Sequence, residues 1–442
     1  MDRDDHIDQH AAHGGWWPDY VAHHGPGMGG RNHYHYMRDQ LIVTGDSVER
    51  VGNELDGLQV TVRAQEPSDE LGLVLLRLDP RSTEGHADRH VPVLVDRLEE
   101  RWQAAARRVL PNHVLGPCTH IHFDASAPEP TSWRPAAVEE VAAQVAPEDE
   151  PLPGDGVTVG LLDTGFEDKA WFAGRVGGDG ERVVQDPDGR LLPSCGHGTF
   201  VAGMVLQHAP GARLRVRRVF TDEGAVDDWR VAFGLVALVA EGVDVVNLSI
   251  GTYTRRDFGM PAFQRALDHA LRRRPDLVLV AAAGNEGLDR PYYPAADERV
   301  LGVGAVEQDG RGRWHRAEFT NFGASWVGAC APGVDAHSTF LDYEGMVVPH
   351  HDEPHDDRQA HADDPTYDPC GGAYEPGKPR ILHFDGTARW SGTSFAAPVV
   401  AAAVATGIGR GTPRAALDSL LADGELPRMP DLGVLVDPRP YG

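Results

Sequence analysis

The 442-residue sequence predicts a doubly wound α/β domain, with a mostly parallel sheet and helices on both faces, preceded by a small ferredoxin-like α+β domain. Two observations predict this. In the larger part of the chain, short runs of Val, Leu and Ala alternate with stretches of helical periodicity, which is typical of a sheet covered on both faces. Before them, shorter segments follow the order β-α-β-β-α-β.

The N-terminal third divides by composition. Residues 1–38 are rich in His, Gly and Asp without periodicity, which predicts a flexible tail. Residues 39–124 carry the β-α-β-β-α-β pattern, with predicted strands at 40–44, 59–64, 72–78 and 120–123 and predicted helices at 47–58 and 91–110. Residues 125–156 are rich in Pro, Glu and Ala, so we expect a linker and a domain boundary there.

Residues 157–442 are predicted to form the α/β domain. Its strand candidates are 157–162, 214–219, 243–248, 277–283 and 300–306, and its helix candidates are 201–207, 227–241 and 261–273. In such a sheet the active site lies at the carboxyl ends of the strands. A His- and Asp-rich segment at about 343–379 interrupts the pattern, and we interpret it as an insertion.

Charge and hydropathy exclude some functions. The formal net charge of -26 argues against a nucleic-acid partner, because phosphate binding needs a basic surface. No run of eighteen apolar residues exists, so no membrane span is expected. The N-terminus lacks the basic and apolar parts of a secretion signal, which predicts a cytoplasmic protein, with export by a non-standard route left open. Four scattered cysteines favour free thiols.

Two segments place a carboxylate and an imidazole where a hydrolase would need them. An apolar strand candidate ends in Asp163, which is followed by Thr-Gly. A carboxylate at a strand end can hold the Nδ1–H of a histidine, although Asp-Thr-Gly also suits an ordinary turn. His197 lies between two glycines at the start of an apolar helix. Such small neighbours let another backbone approach the ring closely.

Two further segments supply a hydroxyl and an amide. Ser394 lies at the predicted start of a helix, where unpaired N–H groups and the helix dipole favour an oxyanion; a plain helix cap is the alternative. We expect Pro398 in the first turn of that helix, which tolerates proline. Asn285 ends a strand of small residues, where its amide can complete an oxyanion hole or serve a turn.

Together and in this order, the four segments resemble the subtilisin family of serine proteases, the subtilases. The matching motifs are Asp163-Thr-Gly, Gly196-His197-Gly-Thr, Ala283-Gly-Asn285 and Gly392-Thr-Ser394-Phe-Ala-Ala-Pro398. Shorter matches occur at 246–251, 293–294, 302–305 and 331–333. The resemblance covers residues from about 157 to 424.

The resemblance implies a serine endopeptidase that forms an acyl-enzyme intermediate and needs no cofactor. In that reaction Ser394 would be the nucleophile, His197 the general base and Asp163 the residue that orients the imidazole. Asn285 and the Ser394 N–H would hold the oxyanion. The residues that would pair with the backbone of a peptide or protein substrate and wall its side-chain pocket are Ser249, Ile250, Gly251, Ala282, Ala283 and Gly284.

Some positions depart from the family pattern. Phe200 stands where a second His is common, and Phe395 where Met is common, so both keep apolar packing. The loop between Asn285 and Tyr293 is short, which leaves the floor of the side-chain pocket, near Tyr292, undefined. Calcium sites are frequent in the family, but no acid-rich loop here matches one, and the histidines show no repeated ligand spacing. We therefore predict no metal site.

The order of elements in residues 39–124 resembles the inhibitory propeptide of the family. That resemblance implies a zymogen whose own N-terminal domain blocks the site, and an unrelated accessory domain is the alternative. The sequence as a whole predicts a serine endopeptidase, with a processing role favoured. A catalytically silent, peptide-binding pseudoprotease is the alternative function.

Overall fold

The computed structural model of the protein describes residues 21–25, 30, 32–102, 108–117, 151–185, 189–192, 194–222, 225–347, 380–409 and 411–437. Its N-terminal part is an antiparallel sheet with helices on one face. The strands are β1 (Val21–His24), β2 (Tyr34–Thr44), β3 (Val62–Ser68), β4 (Leu73–Leu78) and β5 (Val109–Pro117), and the helices are α1 (Val48–Gly57), α2 (Pro80–Thr83) and α3 (Val91–Arg101). The strand order is β5-β2-β4-β3, and β1 pairs with the start of β2.

Both faces of this small sheet are covered. Leu41 and Val43 of β2 are buried with the apolar faces of α1 and α3. Ile42 lies between them in sequence, so it points to the opposite face. It is buried together with Leu73 and Leu75 in a cluster that includes helices of the second part of the chain. The N-terminal sheet therefore packs on that second part.

Several N-terminal predictions were wrong in their bounds. The tail predicted for residues 1–38 overlaps β1 and the start of β2, where Tyr34 and Tyr36 are buried among histidines that hide the alternation. The helix predicted for 91–110 ends at Arg101, and Val109 already belongs to β5, which contains Pro111. The strand predicted at 120–123 and nearly all of the predicted linker lie outside the described residues.

The second part contains fifteen strands and five α-helices among the described residues. The strands are β6 (Thr158–Asp163), β7 (Val176–Gly178), β8 (Arg190–Leu191), β9 (Arg213–Arg218), β10 (Val226–Asp227), β11 (Val245–Leu248), β12 (Ile250–Gly251), β13 (Val278–Ala282), β14 (Leu301–Gln308), β15 (Trp314–Arg316), β16 (Val327–Pro332), β17 (Ala336–Val347), β18 (Arg380–Trp390), β19 (Arg428–Met429) and β20 (Gly433–Leu435). The helices are α4 (His197–His208), α5 (Asp228–Ala240), α6 (Pro261–Arg273), α7 (Thr393–Gly407) and α8 (Pro413–Ala422).

The main sheet of this part is parallel, in the order β7-β9-β6-β11-β13-β14-β16-β20, with β15 and β19 added antiparallel. Alternate residues of its strands face opposite sides. Leu161 and Val280 are buried with α4 and α7, whereas Leu162 and Leu279 are buried with α5 and α6. Helices therefore cover both faces, which confirms the predicted doubly wound fold class.

The predicted strands of the main sheet lie within two residues of the observed ones, and α6 has the predicted bounds. Helix α4 begins at His197 rather than at residue 201, because its first turn consists of Gly, Thr and Phe without apolar periodicity. The insertion predicted from about residue 343 begins too early, since β17 continues to Val347 and pairs with β18. Residues 348–379 lie outside the described residues.

The described ranges lack both a membrane-spanning helix and a metal-binding cluster. No helix there is long and apolar enough to cross a membrane. The same ranges contain no group of three or more His, Cys, Asp or Glu side chains arranged to hold a metal ion.

Candidate active site

The carboxyl end of the main sheet brings Asp163 and His197 together. Asp163 ends β6 and His197 opens α4, and both side chains are buried. A hydrogen bond of 2.7 Å joins His197 Nδ1 to Asp163 Oδ1. Because a carboxylate only accepts, this bond requires the proton on Nδ1 and leaves Nε2 as the acceptor. The close approach of the first turn of α4 to the segment after β6 depends on Gly198, because a Cβ at this position would lie 2.1 Å from the Gly165 carbonyl oxygen.

Ser394 lies on the other side of this site, as the second residue of α7. Its Oγ donates a hydrogen bond of 2.8 Å to the Ser249 carbonyl oxygen. Within the described part of the chain, Ser394 makes no hydrogen bond with His197, and His197 Nε2 has no partner. The hydroxyl and the imidazole are therefore not engaged with each other in this state.

Pro398 lies inside α7, so the prediction that it lies in the first turn was wrong. A proline has no N–H to donate to the carbonyl four residues earlier, which here is that of Ser394. Ser249 Oγ donates to this carbonyl instead, at 2.7 Å. Ser249 and Ser394 thus exchange two hydrogen bonds, which fix the start of α7 against the segment Ser249–Gly251.

Asn285 follows β13 and contacts the same helix end. Its Oδ1 accepts hydrogen bonds from Thr393 N at 3.0 Å and from Thr393 Oγ1 at 2.9 Å. Two donors on one side set the orientation of the amide, so Nδ2 points away from Thr393. Nδ2 is buried and has no partner among the described residues. An unpaired buried donor beside the N-terminus of α7 is what an oxyanion hole requires.

The predicted substrate-binding residues form two edges near Ser394. We call Ser249–Gly251 the first edge and Ala282–Gly284 the second edge. The first edge contains β12, and the second is fixed to α7 by a hydrogen bond of 3.1 Å from Gly284 N to Thr393 Oγ1. The first edge is already paired: Ile250 and Gly251 lie antiparallel to Pro117 and Gly116 of β5. The end of the N-terminal sheet therefore occupies this edge.

An ionic cluster joins the two parts of the chain next to this edge. Arg255 is buried, and its guanidinium donates to both oxygens of Glu99 at 2.7 Å and also contacts Asp96; both acids belong to α3. The Arg255 backbone N–H donates to Nε2 of His113 on β5 at 3.2 Å. Burial, reinforced by Arg255, lowers the pKa of His113 to about 3, so its imidazole is neutral.

Sequence reasoning missed Glu181, which lies beside Asp163 in an irregular segment without a motif. Its Oε2 accepts hydrogen bonds from Thr164 Oγ1 at 2.9 Å and from Thr199 Oγ1 at 3.5 Å. The carboxyl group therefore bridges the end of β6 and the first turn of α4. Burial raises its pKa to about 8. Only the three-dimensional contact identifies it, because Glu181 is distant in sequence from both threonine-containing motifs.

The two departures from the family pattern are neighbours in space. The rings of Phe200 and Phe395 lie 4.5 Å apart between centroids, and Trp390 contacts both. The Trp390 ring also packs edge-on against His197 at 5.6 Å. The two phenylalanines and Trp390 therefore form one aromatic wall against the imidazole.

A polar group that sequence reasoning also missed holds the loop after Asn285. Asn321 Oδ1 accepts from the backbone N–H groups of Glu286 and Leu288 at 3.1 and 2.9 Å. Its Nδ2 donates to the Ala283 carbonyl at 3.0 Å and to Glu286 Oε2 at 3.0 Å. Asn321 thereby fixes the second edge. No local pattern around it, in Thr-Asn-Phe, indicates this role.

The sequence of the chain is similar to that of known proteases. A model of the subtilase family matches residues 154–411. The alkaline protease of Alkalihalobacillus alcalophilus is 29% identical over 318 residues, which cover 67% of this chain and 77% of that protein. Subtilisin Savinase of Lederbergia lenta is 32% identical over 218 residues, 45% of this chain and 74% of that protein.

One solved structure resembles nearly the whole chain. Fervidolysin from Fervidobacterium pennivorans, a keratinolytic enzyme related to subtilisin, superposes with a TM-score of 0.54 at 21% identity. The superposition covers 91% of this chain and 60% of fervidolysin, so this chain spans less than two thirds of that protein. At this identity the likeness concerns the fold.

Proposed function

Since the chain belongs to the subtilase family of serine proteases, we propose that it is a processing endopeptidase made as a zymogen, with its N-terminal domain as an intramolecular inhibitor. One observation carries the zymogen proposal: Gly116 and Pro117 pair with the first edge. A peptide substrate that adds a strand to this edge would use the same backbone groups. Substrate and N-terminal domain therefore compete for one surface.

The proposed reaction begins when the Ser394 hydroxyl turns from the Ser249 carbonyl to His197 Nε2. The imidazole takes the hydroxyl proton while Oγ attacks the substrate carbonyl carbon, and Asp163 stabilises the resulting imidazolium. Asn285 Nδ2 and the Ser394 N–H hold the oxyanion. His197 then gives its proton to the leaving amine as the C–N bond breaks. Water hydrolyses the acyl-enzyme with His197 again as the base.

Contacts away from the first edge also support an inhibitory N-terminal domain. Asn112 of β5 accepts a hydrogen bond of 3.3 Å from the Trp229 N–H at the start of α5. Arg255 is held by Glu99 and Asp96 of α3. These groups position β5 along the cleft. An accessory domain would not need to contact the substrate edge, so this placement favours the inhibitory role.

Purification of the full chain tests the proposal. The wild-type protein is expected to convert into two fragments, whereas Ser394→Ala should stay at full length. Mass spectrometry of the fragments then locates the cut, which we expect between Ala125 and Gly156. An uncut wild-type chain with full peptidase activity would overturn the inhibitory role and favour a permanent accessory domain.

A pseudoprotease is the second candidate, and the hydrogen bond from Ser394 to Ser249 is the observation that favours it. A fluorophosphonate probe distinguishes the two, because it reacts only with a serine that a base can activate. We expect covalent labelling of the wild-type chain at Ser394 and none of Ser394→Ala. Peptide binding without labelling would support the pseudoprotease.

A further inference from the structure

The space between the two edges decides which side chain can precede the scissile bond. Ser394 Oγ lies 2.8 Å from the Ser249 carbonyl on the first edge, and Thr393 Oγ1 accepts from Gly284 N on the second. A peptide laid along the first edge with its carbonyl at Ser394 must direct the preceding side chain into the gap between the edges. We call this gap the primary pocket.

Tyr292 fills the primary pocket. A Cβ placed on Gly251 would lie 2.2 Å from Tyr292 Cε1, and a Cβ placed on Gly284 would lie 3.0 Å from its Cδ1 and Cγ. The aromatic ring therefore touches the backbone of both edges at once. It is 6% exposed, so it occupies the gap rather than covering it from outside.

The ring is also fixed from behind. Tyr253 packs edge-on against it at 4.9 Å, and the Tyr253 hydroxyl contacts Glu286 Oε2 and Asn321 Nδ2, each at 3.2 Å. The Arg290 guanidinium lies over the Tyr253 ring at 4.4 Å. A large substrate side chain would have to displace this packed group. That costs more free energy than entry into a pocket that contains only water.

The segment that occupies the first edge in the intact chain agrees with a closed pocket. It ends in Gly116 and Pro117, and Cys118 follows in sequence. None of these residues has a long side chain. The segment that pairs with the first edge in the intact chain therefore has no side chain that needs a deep pocket.

We propose that Tyr292 limits the residue before the scissile bond to glycine, alanine or another small residue, and that it excludes leucine, phenylalanine and longer side chains. This inference rests on the proposed peptidase function. The physical cause is the volume of the ring, because the walls are main chain and cannot recede.

The test uses the processed enzyme obtained from the full chain, and peptides that differ only at the residue before the cut, which is Ala or Phe. We expect kcat/KM for the Ala peptide to exceed that for the Phe peptide by at least about tenfold. In Tyr292→Ala the ratio should shift toward Phe by at least about tenfold. Tyr292→Phe, which keeps the ring, should retain the wild-type ratio.

Peptidyl phosphonates with Ala or Phe at the same position test the wild-type enzyme alone, so the proposal does not depend on the folding of a variant. Faster inactivation by the Phe phosphonate, or a wild-type enzyme that cuts the Phe peptide as well as the Ala peptide, overturns the role of Tyr292. A chain that neither reacts with a fluorophosphonate probe nor cuts any peptide overturns the peptidase function itself.

Discussion

Helix α7 and the N-terminal domain are both well packed, but in different ways. From Thr393 to Ala402 every residue of α7 is buried, and the residues after Phe395 are Ala, Val and one Pro. The N-terminal domain instead contacts the rest of the chain through two short pairings of β5, one with β12 and one with β10, an apolar patch around Ile42 and the charges around Arg255. The helix belongs to the interior of a large domain, whereas the N-terminal domain meets that domain across contacts typical of an interface between domains.

This difference in packing separates the chemistry of the site from access to the site. Groups held by α7 should affect the chemistry and little else, because they are fixed inside the core. Groups of the N-terminal interface should affect access to the cleft and leave the chemistry unchanged. We expect the strongest effect at Ser394, then at Asn285, then at the N-terminal interface, and the weakest at Glu181, which affects stability.

The first prediction concerns the nucleophile on α7. Ser394→Ala should abolish peptide hydrolysis; in subtilisin the loss of the catalytic serine lowers kcat by about a millionfold. Turnover by the purified variant, measured with a fluorogenic peptide and corrected for contaminating protease, provides the test. A variant that retains a tenth of the wild-type rate would show that Ser394 is not the nucleophile.

The second prediction concerns Asn285, which contacts the same helix end. Asn285→Ala should lower kcat by roughly a hundred- to a thousandfold, the range known for an oxyanion-hole amide in subtilisin, and leave KM nearly unchanged. The reason is that Nδ2 acts on charge present only in the transition state. Steady-state kinetics separates the two parameters. A tenfold rise in KM with kcat unchanged would instead identify Asn285 as a substrate contact.

The third prediction concerns the interface. Glu99→Gln should speed self-activation of the intact chain by about tenfold, because buried Arg255 loses its bidentate partner. The matched control is Glu54→Gln, which removes an acid paired with Arg101 inside the N-terminal domain. Peptidase activity followed after purification gives the rates. Equal rates for both variants would show that the Arg255 cluster does not hold the domain on the cleft.

The fourth prediction concerns Glu181 and stability. Its pKa is about 8 in the folded protein and near 4.5 when unfolded, so the folded state binds more protons between these values. The contribution of Glu181 to the free energy of unfolding therefore falls as pH rises from 4.5 to 8, by up to about 1.4 kcal/mol per pH unit. Urea denaturation of Ser394→Ala at several pH values measures the total slope.

Addition of Glu181→Gln to Ser394→Ala should make that slope shallower, since glutamine does not titrate. The inactive background prevents self-digestion during the measurement. Parallel pH profiles for the two proteins would show that the Glu181 carboxylate contacts water and does not bridge β6 and α4.

Some of this architecture can be predicted from the sequence because its causes are local. The main-sheet strands are continuous apolar runs, and α6 combines a proline at its start with clear helical periodicity. Asp163 ends one of these apolar runs and Asn285 follows shortly after another, so their positions near strand ends can also be predicted. These features need no knowledge of distant residues.

Other features depend on contacts between distant segments. Strand β5 contains Pro111, Asn112 and His113, which show no local strand pattern; it forms because β2 pairs with this stretch and β12 pairs with its last two residues. The mutual hydrogen bonds of Ser249 and Ser394 connect residues 145 positions apart. The position of Tyr292 in the primary pocket follows from the backbone of two separate edges. A single sequence contains no periodicity that encodes such contacts.

Under the proposed zymogen mechanism, the pairing of β5 with β12 would make inhibition independent of dilution while the chain is continuous. Both strands belong to one molecule, so the local concentration of β5 at its edge is set by the connecting chain and not by the amount of protein. A cut converts the same contact into a bimolecular one, which weakens as the protein is diluted. The cut enzyme should therefore become active on dilution, whereas uncut Ser394→Ala should keep its edge covered at any concentration.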